Sequence, residues 1–92
     1  MRDVLVHSEA QFNRAIGFVL RRARKLTKMN QEEAAEMAGV NRSHLARLER
    51  GHHAPSCFTL AKLAECYGVG FGGLGQMIED KVKSYRPMRR RR

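Results

Sequence analysis

The hydrophobic positions near the start of the chain recur every three or four residues, which predicts a helix rather than a strand. Ser8 opens this segment, and its hydroxyl and the Gln11 side chain are spaced to cap each other's backbone N–H groups. We therefore expect a first helix from Ser8 to about Leu26. Its buried stripe would consist of Phe12, Ile16, Val19, Leu20 and Ala23.

Two short helices are predicted next, with a glycine between them. Asn30 and Glu33 repeat the reciprocal capping pattern at the start of the second helix, and Gly39 can end it in a left-handed conformation. A third helix is then expected from Asn41 to Gly51. A break at Gly39 would let the third helix cross the second at a steep angle. The second helix would then support the third and leave the outer face of the third accessible.

Two more helices complete the predicted fold. Ser56 can cap a fourth helix that ends at Gly68, with Leu60, Leu63, Ala64 and Tyr67 on its apolar face. A fifth, from about 71 to 83, aligns Phe71, Leu74, Ile78 and Val82 but contains three glycines that disfavour a helix. The segment from Val4 to Val6 is a candidate for extended structure. The expected fold class is all-α, a compact domain of five helices.

The charge of the chain is concentrated at its two ends. The 92 residues carry a formal net charge of +9; residues 1–30 have seven basic and two acidic side chains, and residues 82–92 have six basic and none acidic. Such a balance favours a polyanionic partner, of which nucleic acid is the commonest. We expect one domain over residues 1–82. Residues 83–92, KSYRPMRRRR, are expected to form a disordered basic tail that either aids solubility or contacts phosphates without sequence preference.

No apolar run approaches the roughly 20 residues that cross a bilayer, and the first residues lack a signal-peptide core. A soluble cytoplasmic protein is therefore expected. Cys57 and Cys66 fall on opposite sides of one predicted helix, so we expect reduced thiols rather than an internal disulfide.

The third predicted helix has a short, polar and basic outer face. At about 100° per residue, Leu45 and Leu48 turn inward. The outward positions are Ser43, Ala46, Arg47 and Arg50, with Arg42 at the first turn. Such a face has the dimensions of a probe for the major groove of B-form DNA.

Residues 16–75 resemble the Cro/repressor-type helix-turn-helix domains, the XRE-family, lambda-repressor-like regulators. The resemblance rests on RKLTKMNQEEAAEMAGV, then NRSHLARLERG, then a proline, then TLAKLAECYGV, in that order and spacing. It implies a five-helix domain, with its helix-turn-helix over residues 31–50, that binds double-stranded operator DNA, often as a symmetric homodimer.

The resemblance also implies roles for individual side chains. Arg42, Ser43 and Arg47 match base-reading positions, and Asn41 and Arg50 match contacts to the DNA backbone. Gln31 matches a phosphate or base-edge contact, and His44 is expected to border the same surface. Simpler roles stay open: Asn41 as a cap alone, Arg50 as a solvated side chain and Gln31 as a first-turn surface residue.

Glu49 is expected to be structural rather than DNA-binding. In the family this acid is typically paired with an arginine of the first helix, and Arg24 occupies the matching place. Cys57 stands where the family usually has an apolar residue, which favours a small buried side chain.

Other motifs are weaker. GVGFGG, residues 68–73, has the glycines of a dinucleotide fingerprint, but it follows a predicted helix instead of a strand. His44, His52, His53 and Cys57 lack zinc-finger spacing. We therefore expect no cofactor, no metal and, without a nucleophile and base, no enzymatic activity. The leading hypothesis is a sequence-specific transcriptional regulator, repressor or activator; the alternative is an antitoxin-type module that neutralises a protein partner, with DNA binding secondary.

Overall fold

The computed structural model describes residues 3–91, which contain five helices and two short strands. In chain order these are β1 (Asp3–Val6), α1 (Glu9–Leu26), α2 (Gln31–Ala38), α3 (Arg42–Glu49), α4 (Cys57–Cys66), α5 (Gly70–Val82) and β2 (Met88–Arg91). The predicted five-helix fold is confirmed.

The starts of α1 to α4 follow the capping residues of the sequence, whereas α5 begins without a side-chain cap. At α1, the Ser8 hydroxyl accepts from the backbone N–H of Gln11 at 3.1 Å, and the Ser8 N–H donates to the Gln11 side chain at 2.8 Å. Asn30 and Glu33 make the same reciprocal pair at α2, at 2.8 and 2.9 Å. Because each pair satisfies two N–H groups that the helix itself leaves open, local sequence alone defines these starts.

Glycines set the turns on both sides of α3. Gly39 ends α2 with φ at 71°, and Gly51 follows α3 with φ at 77°. Gly51 also meets α1 closely, since a methyl group placed on it would lie 3.1 Å from the Arg14 Cα. A left-handed turn and a nearby backbone together require glycine at that position.

The core lies where α1 packs against α3 and α5, and where α2 and α4 close over the same side chains. Its largest fully buried side chains are Leu20, Leu45, Leu48, Leu63 and Leu74. Phe12 was expected in this core, but its side chain is 43% exposed. It lies beside the ring of His7 near the edge of α1, where the stripe reaches solvent.

The glycines of α5 do not prevent the helix. Gly72 and Gly75 are exposed, and a methyl group on either would touch nothing within 4 Å. The opposite face buries Leu74, Ile78 and Val82. The apolar contacts of that face therefore outweigh the low helix propensity of the glycines.

A two-stranded antiparallel ribbon joins the two ends of the chain. Asp3 pairs with Arg91 and Val6 with Met88, in continuous register. Residues 83–92 were expected to be a disordered tail; the structure instead places Met88–Arg91 in a strand, and Arg92 lies outside the described residues. Backbone hydrogen bonds to β1 give this segment a partner that a search for local patterns does not reveal.

The two cysteines differ in their surroundings. Cys57 is exposed, so the expectation of a small buried side chain there was wrong. It is the first residue of α4, whose buried side chains, Leu63 and Ala64, lie further along the helix. Cys66 is partly buried, and burial raises the pKa of its thiol. Both are free thiols. Within residues 3–91, no helix combines the length and apolar character needed to span a membrane.

Candidate nucleic-acid interface

The scaffold fixes α3 by its inner face and leaves its outer face accessible. Leu45 and Leu48 are fully buried. The Asn41 side chain accepts from the backbone N–H of His44 at 3.1 Å, which caps the helix start. A helix so held from below presents its remaining side chains at fixed positions.

Five of the seven predicted contact residues line one shallow groove on this outer face. The groove runs between the start of α2 and α3 and is bordered by Gln31, Arg42, Ser43, Ala46, Arg47 and Arg50. Three guanidinium groups and the two small side chains of Ser43 and Ala46 make this surface basic and sterically open.

The arginines of the groove are accessible. Arg42 makes an ion pair with Glu32 at 3.4 Å, but the two side chains are 64% and 71% exposed. An exposed ion pair of that length contributes about 0–1 kcal/mol to stability. Arg42 can therefore leave Glu32 to bind a ligand. Arg47 and Arg50 are exposed, and among residues 3–91 no side-chain hydrogen bond or ion pair holds either of them.

Asn41 and His44 lie beside this groove rather than in it. They line a neighbouring depression together with residues of α4, including Phe58 and Lys62. The His44 ring is 5.9 Å from that of His53. In the part of the chain that the structure describes, no group of three or more His, Cys, Asp or Glu side chains is arranged to hold a metal ion.

Gln31 connects the groove to the scaffold. Its amide nitrogen donates to Glu49 Oε1 at 3.0 Å. One end of its amide is thus engaged by α3, which holds the side chain at the rim of the groove. The sequence did not indicate this contact, because the two residues are eighteen positions apart.

Glu49 is at the centre of a buried polar cluster. Arg24 donates to it from Nε at 2.7 Å and from a terminal nitrogen at 2.9 Å, and the two side chains are 9% and 3% exposed. A further Arg24 nitrogen donates to the Met29 carbonyl at 2.9 Å. The hydrogen bond to Glu49 raises the pKa of Arg24, against the opposing effect of burial. Because such a pair is satisfied by direct hydrogen bonds, it can link α1 to the end of α3.

Tyr67 adjoins this cluster and was missed by sequence reasoning, which assigned it only to an apolar face. Its hydroxyl is buried and, within residues 3–91, has no hydrogen-bond partner. Burial, and then the negative charge of Glu49, raise the pKa of Tyr67 above its ordinary value. No local sequence pattern marks this contact.

Gly17 brings α1 against the end of α3. A methyl group on Gly17 would lie 2.6 Å from the Leu48 carbonyl oxygen and 2.7 Å from that of Glu49. These are backbone atoms, so the two helices meet as closely as they do only because residue 17 has no side chain. A glycine inside an otherwise regular helix often marks a close contact with another backbone, so Gly17 could have predicted this contact from the sequence.

Comparison with known proteins agrees with this arrangement. The sequence profile of the helix-turn-helix family HTH_3 matches residues 20–74. The chain is 35% identical over 54 residues to an uncharacterized HTH-type transcriptional regulator, y4dJ, of Sinorhizobium fredii, and the match covers 59% of this chain and 70% of that protein.

Two solved structures share the fold. One is an HTH_3 family transcriptional regulator from Vibrio cholerae, with a TM-score of 0.70 and 26% identity; the match covers 75% of this chain but only 39% of that one. The other is the restriction-modification controller protein C.AhdI from Aeromonas hydrophila, with a TM-score of 0.65 and 29% identity over 67% of this chain and 94% of that one. The chain belongs to the HTH_3 family of helix-turn-helix transcriptional regulators.

Proposed function

We propose that this protein is a cytoplasmic, sequence-specific DNA-binding regulator that acts by occupying an operator. In this proposal residues 1–82 form the DNA-binding domain, and α3 enters the major groove. The supporting observation is the shallow groove in which the guanidinium groups of Arg42, Arg47 and Arg50 are accessible on one rigid face.

Each side chain of the interface has a role in DNA binding under this proposal. Arg42, Ser43 and Arg47 read base edges, because arginine can donate two hydrogen bonds to O6 and N7 of guanine. Arg50 and Asn41 contact phosphates, and Asn41 also caps α3.

Gln31 and His44 complete the proposed contact surface. Gln31 contacts a phosphate or a base edge from the rim of the groove, and His44 borders the DNA beside it. Arg24 and Glu49 do not touch DNA; they hold α3 at its angle.

We further propose that the functional unit is a homodimer on a near-palindromic operator. Two copies of α3 would then enter successive major grooves about 34 Å apart. The side chains of Phe12, Phe18 and Phe71 are 43%, 45% and 52% exposed, and in this proposal the second subunit covers at least one of them. A regulator of this form needs neither a cofactor nor a separate ligand domain.

Selection of binding sites from a random duplex pool by the purified full-length protein tests the proposal. We expect an enriched, two-fold symmetric sequence with half-site centres about one helical turn apart. A folded protein that enriches no sequence would contradict it, and an enriched single half-site bound by one chain would contradict the dimer alone.

A further inference from the structure

Strand β2 of the ribbon is strongly basic, whereas β1 carries a single acidic residue, Asp3. Arg89 and Arg90 are exposed, Arg91 ends β2, and the segment 82–92 has no acidic residue. Arg89 lies opposite Leu5 and Arg90 opposite Val4. Since side chains alternate along a strand, these two guanidinium groups project from opposite faces of the ribbon.

The base of the ribbon is fixed by contacts to α1 and to the segment just before it. The His7 Nε2 donates to the Tyr85 carbonyl at 3.0 Å, and the Gln11 amide donates to the Arg86 carbonyl at 2.7 Å. The guanidinium of Arg14 lies 5.6 Å from the centre of the Tyr85 ring. A run of like charges would extend into solvent if it were unconstrained, whereas these contacts and the pairing with β1 hold it in one direction.

Arg14 contacts both the turn after α3 and the base of the ribbon. The turn after α3 meets α1 at this residue, because a methyl group on Gly51 would lie 3.1 Å from the Arg14 Cα. The side chain of the same residue reaches Tyr85 at the base of the ribbon. The turn after α3 and the base of the ribbon therefore contact opposite ends of the same arginine.

We infer that the ribbon is a second DNA-contacting element, which binds phosphates flanking the base pairs read by α3. This inference rests on the proposed function. Duplex DNA carries about one negative charge per 1.7 Å of its axis, so DNA that extends past the recognised site offers phosphates to arginines on both faces of a projecting ribbon. The contact adds affinity without adding base preference, because phosphates carry no sequence information directly.

The experiment compares the full-length protein with Arg89→Ala, Arg90→Ala and the double variant on two duplexes. One duplex ends at the borders of the selected site, and the other extends about ten base pairs beyond each border. Arg22→Ala is the matched control, since it removes one exposed charge from α1 on the side that packs near α5. The double variant Arg89→Lys with Arg90→Lys keeps the charge, and it tests whether any loss of affinity comes from disruption of β2 and not from the lost charge.

On the long duplex, we expect the slope of log affinity against log salt to fall by about 0.9 for each arginine removed, and by about 1.8 for the double variant. On the short duplex all proteins should bind alike, and the double lysine variant should retain most of the long-duplex affinity. Base preference should be unchanged throughout.

Equal losses of affinity for the long duplex in Arg22→Ala and Arg89→Ala would overturn the inference, because the change in net charge alone would then explain both losses. A change in oligomeric state of the double variant without DNA would also overturn it and assign the ribbon to a subunit contact. Wild-type protein that binds neither duplex would instead refute the proposed function, which separates the two failures.

Discussion

Arg24 on α1 donates two hydrogen bonds to Glu49 at the end of α3, and both side chains are almost completely buried. About two turns earlier on α1, Gly17 lies close to the backbone carbonyl of the same glutamate, since a methyl group placed on it would be 2.7 Å from that oxygen. A charged pair and a close backbone contact thus fix one end of α3 against one face of α1. These contacts set the direction in which the outer face of α3 points, and DNA recognition by α3 depends on that direction.

Removal of the carboxylate at this joint should weaken folding and DNA binding together. Glu49→Ala leaves the guanidinium of Arg24 buried without its partner, and we expect a loss of about 3 kcal/mol in the free energy of unfolding. Gln31 also loses its acceptor. Denaturant unfolding and operator titration measure the two effects.

Glu49→Gln is the matched control for that variant, since it keeps the shape and one hydrogen-bond acceptor. It should fall between wild type and Glu49→Ala in both measurements. An unchanged melting temperature for Glu49→Ala would show that the pair does not position α3.

Alanine at Gly17 should destabilise the protein although alanine is the better helix former. Its methyl group would meet two backbone carbonyl oxygens at 2.6 and 2.7 Å, so α3 must move. Gly75→Ala on α5 is the matched control, because its methyl group would touch nothing. There we expect a gain of about 1 kcal/mol from helix propensity alone. Thermal melts of the two variants check this, and shifts of the same sign would contradict the proposed close contact.

Tyr67→Phe should stabilise the protein by about 1 kcal/mol at neutral pH, because it removes a buried hydroxyl that has no partner among residues 3–91. The pKa of Tyr67 is raised in the folded state, so the unfolded chain ionises first as the pH rises through the ordinary value near 10. The stability of the wild type relative to Tyr67→Phe is therefore constant below pH 10 and falls as the pH rises above it.

The difference in unfolding free energy between wild type and Tyr67→Phe, followed from pH 8 to 11, tests the direction of this pH dependence. The advantage of the phenylalanine variant should grow above pH 10. A constant difference across that range would mean that the phenol titrates equally in both states.

Arg47→Ala should change sequence preference without changing stability, since the side chain is exposed and unpaired within the described residues. We expect loss of about 1–3 kcal/mol of discrimination at one base pair of each half-site. Arg50→Ala should instead weaken binding to all sequences alike. Titration of single-base variants of the selected operator measures both, and a uniform loss for Arg47→Ala would exclude it as a base reader.

The helix starts could be predicted from the sequence because their signals are local. Ser8 with Gln11, and Asn30 with Glu33, satisfy each other within one turn, and Gly39 ends α2 by its own conformational freedom. The inward side of α3 followed equally from the spacing of Leu45 and Leu48.

What the sequence did not reveal depends on contacts between distant segments. The ribbon pairs Asp3 with Arg91, and a run of arginines favours disorder until a partner strand is known. The exposure of Cys57, the first residue of α4, depends on how that helix packs, which helical periodicity does not specify. The hydrogen bond from Gln31 to Glu49 likewise appears only when α2 and α3 are packed.

The most direct test of the central claim is methylation interference on the selected operator, with wild-type protein and Arg47→Ala side by side. Methylation of guanine N7 blocks the major groove, whereas methylation of adenine N3 blocks the minor groove. We predict that N7 methylation within each half-site abolishes binding, that N3 methylation there does not, and that Arg47→Ala becomes indifferent to one guanine. Interference from N3 methylation alone, with no effect at N7, would contradict the placement of α3 in the major groove.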